Sequence, residues 1–124
     1  MAPKKSLYER LGGHDTIAAF VTDYITRIRA DPQINRFSTS RGTDKQREDL
    51  QLNIDYMCKI TGGSNHYTGR DMKTAHAGLG ITQAEWEAST RHMAEALDKS
   101  KVSKKEKAEV LALVADMKVE IVEK

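Results

Sequence analysis

The apolar residues of this chain recur with the period of an α-helix, and this pattern restricts the fold more than any other feature. Between residues 15 and 30 they form one continuous stripe, made of Ile17, Phe20, Val21, Tyr24, Ile25 and Ile28. The same period continues through most of the remaining sequence, and no alternating run is long enough to suggest a strand. We therefore predict an all-α fold, with Pro32 ending the first long helix.

Two short patterns mark the starts of later helices. Thr82 and Glu85 fit the T-x-x-E capping box, in which each residue satisfies a backbone N–H of the other. Ser103 and Glu106 repeat the pattern before the last helix. The predicted buried row of that helix is Val110, Leu113, Val114, Met117 and Ile121. Residues 38–44 are polar and contain a glycine, so we predict a surface loop there.

Length, charge and cysteine content narrow the class of protein. The 124 residues suit a single domain over residues 1–124, and 20 basic against 18 acidic side chains are mixed along the chain. We therefore expect no binding to nucleic acid. No apolar run reaches the length of about 18 residues expected of a membrane span. The lone cysteine, Cys58, suits a reducing compartment, so we expect a cytoplasmic protein. We also expect that it does not bind membranes and that it is a monomer.

Several catalytic motifs are absent from the sequence. There is no H-E-x-x-H, no G-x-S-x-G turn and no Walker loop. Zinc hydrolase, serine hydrolase and nucleotide-hydrolysing chemistry are therefore not predicted.

The stretch TGRDMKTAHAGLGIT at 68–82 places the titratable ring of His76 on the apolar face of a very short segment between Gly69 and Gly78. A histidine in such a position is most often a core residue that hydrogen-bonds a backbone carbonyl. It can also hold a metal when a macrocycle supplies the other ligands, as in haem. The helix at 45–61 is apolar on two sides, which suits helices on one side and a ligand on the other. On the residues alone, both interpretations stay open.

Four pieces of sequence, in order along nearly the whole chain, carry a resemblance to a known family. They are SLYERLGG at 6–13, ADP at 30–32, TGG at 61–63 and YTGRDMKTAHAGLGIT at 67–82. Together they resemble the truncated haemoglobins of group I. The resemblance implies a two-over-two helical sandwich around a non-covalent haem b, with His76 binding the iron on the proximal side. The ring would then be neutral and would donate its other N–H to a carbonyl, which we predict to be that of Met72.

The same resemblance implies further contacts with the haem. Met72 would lie against the porphyrin, although simple core packing explains this residue equally well. Arg70 and Lys73 would pair with the haem propionates, unless they merely face water. The remaining predicted contacts are Phe37, Met57, Tyr67, Leu79 and Trp86.

The sequence departs from the family's pattern in the second helix, on the distal side, where a gas would bind the iron. The position of the tyrosine that usually donates to dioxygen falls on Ile25, and the preceding phenylalanine position falls on Tyr24. The usual donor is therefore missing, unless a rotation of the helix turns Tyr24 inward.

The third helix offers other distal candidates. Asn53 falls at the family's ligand-facing position and could donate to dioxygen, although an asparagine in a helix most often faces water. Leu52 stands where some relatives have a histidine that binds iron, which favours an open sixth position. Tyr56 lies on the same face as Asn53 and is either a second donor or half-buried packing. Asp49 occupies the family's gate position.

The other histidines, His14, His66 and His92, are predicted to lie at the surface. None of the four is in the last helix, where some relatives attach haem covalently.

Three functions follow as hypotheses. The first is a haem protein that binds O2, NO and CO and converts nitric oxide to nitrate, with a reductase as partner. The second is binding, storage or sensing of dioxygen without turnover. The third is a haem-free helical interaction module in which His76 is a core residue.

Overall fold

Every regular element that the structure describes is helical. The structure is a computed structural model, and it describes residues 5–37, 42–63, 67, 69 and 72–123. Its α-helices are α1 (Leu7–Leu11), α2 (His14–Ala30), α3 (Thr43–Ile60), α4 (Met72–His76), α5 (Gln83–Lys99), α6 (Lys104–Asp116) and α7 (Lys118–Ile121), with a 3₁₀ turn at Asn35–Phe37. No helix in these ranges combines the length and apolar character needed to cross a bilayer.

The long helices pack in pairs. Helix α2 contacts both α3 and α5, and α5 in turn packs against α6. The predicted all-α fold and its two-over-two arrangement are therefore confirmed. The short helix α4 packs against α7, so the segment that carries His76 is held by the end of the chain.

The apolar stripe of α2 serves two purposes along its length. Its first half, Ile17, Phe20 and Val21, is buried in the core. Its second half, from Tyr24 to Ile28, lines a cavity instead. Burial of a large apolar side chain stabilises a fold by about 1.5–3 kcal/mol. The first half of α2 therefore anchors the helix, and the second half presents side chains to the cavity.

The capping box at the start of α5 is confirmed. The Thr82 hydroxyl accepts from the Glu85 N–H at 3.1 Å, and the Thr82 N–H donates to the Glu85 carboxylate at 3.0 Å. Ser103 likewise caps α6 by accepting from the Glu106 N–H at 3.4 Å. The carboxylate of Glu106 also accepts a hydrogen bond from Arg10 of α1 at 3.1 Å. This contact joins the start of α6 to α1.

Two predicted boundaries differ from the structure. The last helix is not continuous: α6 ends at Asp116 and α7 starts at Lys118, so the predicted buried row is divided between them. Helix α3 begins at Thr43, inside the loop predicted at 38–44, and residues 38–41 lie outside the described residues. The apolar period of the last helix runs past the break at Met117, whereas the first turns of α3 contain no apolar residue that would mark the start of the helix.

The prediction that His92 lies at the surface is wrong. Its side chain is only 12% exposed, and its Nε2 lies 2.7 Å from a carboxylate oxygen of Asp31. This contact lowers the pKa of Asp31 below its ordinary value. Position 92 lies beside the apolar stripe of α5, where the end of α2 covers it, and the sequence of α5 carries no sign of that cover. His14 is half exposed, as predicted, and His66 lies outside the described residues.

Candidate functional site

A cavity of about 490 Å³ lies among the helices, with walls from α2, α3, α4, α5 and the last two helices. Its lining is mostly apolar, and its volume falls within the range of small-molecule sites. A second hollow, of about 610 Å³, is an open groove on the outer face of α2, lined by Asp15, Asp23 and several threonines. His76 faces the first cavity, which is therefore the candidate site.

The ring of His76 is fixed by a hydrogen bond within α4. Its Nδ1 lies 2.8 Å from the carbonyl oxygen of Met72, which is the bond predicted from the sequence. A carbonyl oxygen only accepts, so Nδ1 carries the proton, and in the neutral ring Nε2 keeps an available lone pair. His76 is half-buried and lines the cavity. The geometry suits a nitrogen that binds a metal.

The described part of the chain contains no group of three or more histidine, cysteine, aspartate or glutamate side chains placed to hold a metal ion. Among the described residues, His76 is therefore not a member of such a group.

The turn after His76 is held by the end of the chain. Gly78 and Gly80 have φ values of +80° and +65°, which only glycine adopts without strain. Their N–H groups donate to the carboxylate of Glu123 at 3.3 and 3.0 Å. The Glu123 N–H in turn donates to the Ile81 carbonyl at 2.9 Å. The segment that follows the histidine is thus tied to the residues after α7.

Arg36 holds the same turn from another direction. Its guanidinium donates to the carbonyls of Leu79 and Gly80 at 3.1 and 3.3 Å. It also donates to both carboxylate oxygens of Glu85, each at 2.9 Å. Glu85 is buried, and its pKa is lowered chiefly by the hydrogen bonds from Arg36. Arg36 therefore links the turn after His76 to the start of α5.

The structure brings together most of the residues that were predicted to contact a haem. Those lining the cavity with His76 are Met57, Tyr67, Met72, Leu79 and Trp86. Lys73 is exposed on α4 and is not among the lining residues. Arg70 and the side chain of Phe37 lie outside the described residues, so their roles stay predictions.

All the residues predicted on the distal side line the cavity: Tyr24, Ile25, Asp49, Leu52, Asn53 and Tyr56. Tyr24 and Ile25 both reach it, so no rotation of α2 is needed. The Tyr24 hydroxyl lies 2.5 Å from the Ser89 hydroxyl of α5. Burial raises the pKa of Tyr24, which keeps this hydroxyl protonated and able to donate.

Asn53 and Tyr56 are placed less favourably for contact with a ligand. Asn53 is exposed, and its side-chain amide donates to the Asp49 carbonyl at 2.8 Å. The ring of Tyr56 packs edge-on against Tyr67, with centroids 5.1 Å apart. Partial burial raises the pKa of Tyr56. The amide of Asn53 is therefore already used within its own helix.

Some cavity residues were missed by sequence reasoning, and the polar ones are Arg29, Gln46, Glu85 and Ser89. Arg29 could have been found, because it lies four residues after Ile25 and thus on the same face of α2. Ser89 follows the period of α5, but the sequence contains no signal that pairs it with Tyr24.

Comparisons with known proteins agree with this geometry. The family described as Bacterial-like globin matches residues 6–123. The group 1 truncated haemoglobin of Mycolicibacterium paratuberculosis is 32% identical over 120 residues, which is 97% of this chain and 86% of the relative.

Solved structures extend the likeness to three dimensions. The ferric truncated haemoglobin of Tetrahymena pyriformis superposes with a TM-score of 0.87 at 24% identity, covering 97% of this chain and all of the other. The 2/2 haemoglobin of Synechococcus sp. PCC 7002, solved in the cyanomet state with covalently attached haem, gives a TM-score of 0.79 at 30% identity, over 90% of this chain and 91% of the other.

Family membership carries a coarse function, because globins bind diatomic gases through haem. The match over nearly the whole chain, the helical pairs and the cavity faced by His76 lead to one assignment. This chain belongs to the bacterial-like globins and, within them, to the truncated haemoglobins of group 1.

Proposed function

We propose that the cavity holds a haem b whose iron is bound by Nε2 of His76, and that the protein binds O2, NO and CO. One observation carries the proposal: an imidazole with a defined tautomer faces a mostly apolar cavity of about 490 Å³. The residues present fit a flat apolar group with one axial nitrogen ligand. When bound, the haem iron would supply the position at which a gas binds.

The chain's own residues would orient the cofactor and keep water away from it. The Met72 carbonyl holds the His76 proton on Nδ1, which keeps the imidazole basic toward the metal. Met57, Trp86 and Leu79 offer apolar surface to the cofactor. The partly buried hydroxyl of Tyr24, which lies within hydrogen-bond distance of Ser89, is a candidate donor in the same cavity. These groups bind and position, and none of them needs to change its covalent state.

We infer that the haem is held without a covalent link. The Synechococcus protein carries covalently attached haem, and some relatives form such a link through a histidine of the last helix. In this chain the histidines are His14, His66, His76 and His92, and none of them belongs to α6 or α7.

We propose oxidation of nitric oxide to nitrate as the catalytic role. The reaction consumes one NO, one O2 and one electron and yields one nitrate, so it needs a reductase to supply the electron. Binding or sensing of dioxygen without turnover uses the same site. Mixing the oxygenated protein with nitric oxide separates the two proposals, because prompt stoichiometric nitrate supports catalysis and slow nitrate formation supports storage or sensing.

We propose a reducing, cytoplasmic location. Cys58 is buried and free, and burial raises the pKa of its thiol, so the residue is suited to remaining reduced. The monomeric state stays a prediction.

The haem assignment is tested by absorption spectroscopy of the purified protein after haem is added. We expect a Soret band that is lost or strongly shifted in His76→Gly, and that added imidazole partly restores. His14→Gly is the matched control, because that half-exposed histidine lies outside the cavity lining. An unchanged band in His76→Gly would contradict the assignment. A colourless wild-type protein would support the helical interaction module instead.

A further inference from the structure

Arg29 differs from the other arginines that the structure describes. An ion pair with a carboxylate is formed by each of Arg10, Arg27, Arg36, Arg47 and Arg91. Within the described ranges, Arg29 forms no ion pair, and its side chain donates one hydrogen bond, from Nη2 to the Gln46 carbonyl at 3.1 Å. Among the described side chains, no carboxylate therefore lies within ion-pair distance of the Arg29 guanidinium.

This uncompensated charge lies in the wall of the candidate haem cavity. Arg29 is half-buried and lines the cavity together with Ile25, one turn earlier on α2. Its Nη2 reaches the Gln46 carbonyl in the first turns of α3, so the side chain spans the wall between α2 and α3. Its Nε is fully buried and has no hydrogen-bond partner among the described atoms. The Nε–H of this charged side chain is therefore shielded from water.

The neighbouring charges do not neutralise Arg29. Of the side chains that the structure describes, the carboxylates of Asp49 and Glu85 also line the cavity. Glu85 is paired with Arg36, and Asp49 forms no ion pair with Arg29. Partial burial of a cation is costly unless a charged or polar partner satisfies it. We therefore expect a negatively charged group within the cavity to pair with Arg29.

We propose that Arg29 is an anion-binding residue of the haem cavity. Its guanidinium receives a negative group of the occupant, either an anionic ligand at the iron or a carboxylate of the haem itself. The inference rests on the haem binding proposed above and deepens it, because it predicts which iron ligands the cavity prefers. Hydrogen bonds between a cation and an anion are about twice as strong as those between neutral groups. The Arg29 guanidinium should therefore raise the affinity for anionic ligands more than the affinity for neutral ones.

The test uses the ferric, haem-loaded protein titrated with azide and fluoride as anionic ligands and with imidazole as a neutral one. Arg29→Gln removes the charge and keeps an amide donor, and Arg29→Lys keeps the charge. Arg47→Gln is the matched control, since Arg47 is 76% exposed on α3 and its removal changes the net charge equally. We expect Arg29→Gln to weaken azide and fluoride binding by roughly tenfold or more. Imidazole binding should be unchanged in Arg29→Gln. Arg47→Gln should bind all three ligands as the wild type does, and Arg29→Lys should keep most of the affinity for azide and fluoride.

A second arm identifies the source of the anion. If the partner is a haem carboxylate, Arg29→Gln should speed the loss of haem but not of haem dimethyl ester, and azide affinity should stay unchanged. Either result supports an anion site at Arg29. Equal azide affinity and equal haem loss in Arg29→Gln and Arg47→Gln would overturn it, as would an equal weakening of azide and imidazole. A wild-type protein without a Soret band would overturn the haem proposal as well, whereas a normal band with both azide affinity and haem loss unaltered in Arg29→Gln removes only the role of Arg29.

Discussion

The segment around His76 and the wall formed by α2 and α3 face the same cavity, but their polar groups are held in different ways. The His76 ring bonds the Met72 carbonyl four residues earlier. In the α2–α3 wall, Tyr24 bonds Ser89 of α5, a residue 65 positions away. Asn53 bonds the backbone of its own helix. The ring of His76 is thus oriented by its own helical turn, whereas a candidate distal donor depends on a neighbouring helix.

This difference bears on how a bound gas would be stabilised. A donor that already has a partner gains less from a new acceptor, because the old hydrogen bond is weakened or lost. The Tyr24 hydroxyl can donate to only one acceptor at a time, and Ser89 is within reach of it. We therefore expect the His76 side to respond to mutation with large changes, and the distal side with smaller ones.

The largest effect in this comparison is expected for Glu85→Ala. The change removes half of the capping box of α5 and the partner of Arg36, which holds the turn after His76. We expect the free energy of unfolding to fall by about 2 kcal/mol, measured by urea denaturation. Glu87→Ala is the control, because Glu87 is exposed on the same helix and bonds only Gln83 among the described residues. Equal losses in the two variants would mean that Glu85 does not clamp this turn.

A smaller effect is expected for Tyr24→Phe, which removes the hydroxyl that contacts Ser89. A hydrogen bond of this kind contributes about 1 kcal/mol to stability. A double-mutant cycle with Ser89→Ala measures the coupling between the two hydroxyls directly. We expect the double variant to be about as stable as Tyr24→Phe. Strictly additive losses would show that the pair does not interact, and the α2–α3 wall would then be less dependent on α5 than we infer.

The smallest effect is expected for Asn53→Ala. Its amide is exposed and already donates to the Asp49 carbonyl, so the rate of dioxygen release should rise by less than about threefold. Flash photolysis or stopped-flow mixing of the oxygenated protein measures this rate. Gln51→Ala is the control, since Gln51 is exposed on the same helix and bonds Asp55. A tenfold increase found in Asn53→Ala alone would show that the amide turns toward the iron when a gas binds.

Local patterns predicted much of the fold. The period of apolar residues identified α2, and Thr82 with Glu85 marked the start of α5. These signals act over three or four residues, a distance within which backbone geometry is nearly the same in every helix. The hydrogen bond from His76 to Met72 belongs to this class, and it was predicted from spacing and the family resemblance together.

The predictions that failed and the residues that were missed have different causes. His92 was expected at the surface, but Asp31 at the end of α2 lies against it. Arg29 was overlooked, although its spacing from Ile25 places it in the cavity wall. The break at Met117 between α6 and α7 has no proline or glycine to announce it. For His92 and for the break, the outcome is set by a neighbour or a change of backbone direction that periodicity does not encode, whereas the helical spacing of Arg29 would have been enough to place it.

The order of residues was sufficient to establish a helical chain and the capped starts of α5 and α6, and with the family resemblance it predicted that the His76 ring bonds the carbonyl one turn earlier. Such features need only the 3.6-residue repeat and hydrogen bonds within one turn. The assembled helices were needed to show that Tyr24 meets Ser89, that Arg36 clamps the turn after His76, and that Arg29 is left without a carboxylate among the described residues. The partner of a polar side chain is whichever group packing brings within about 3 Å, and packing joins residues that lie far apart along the chain.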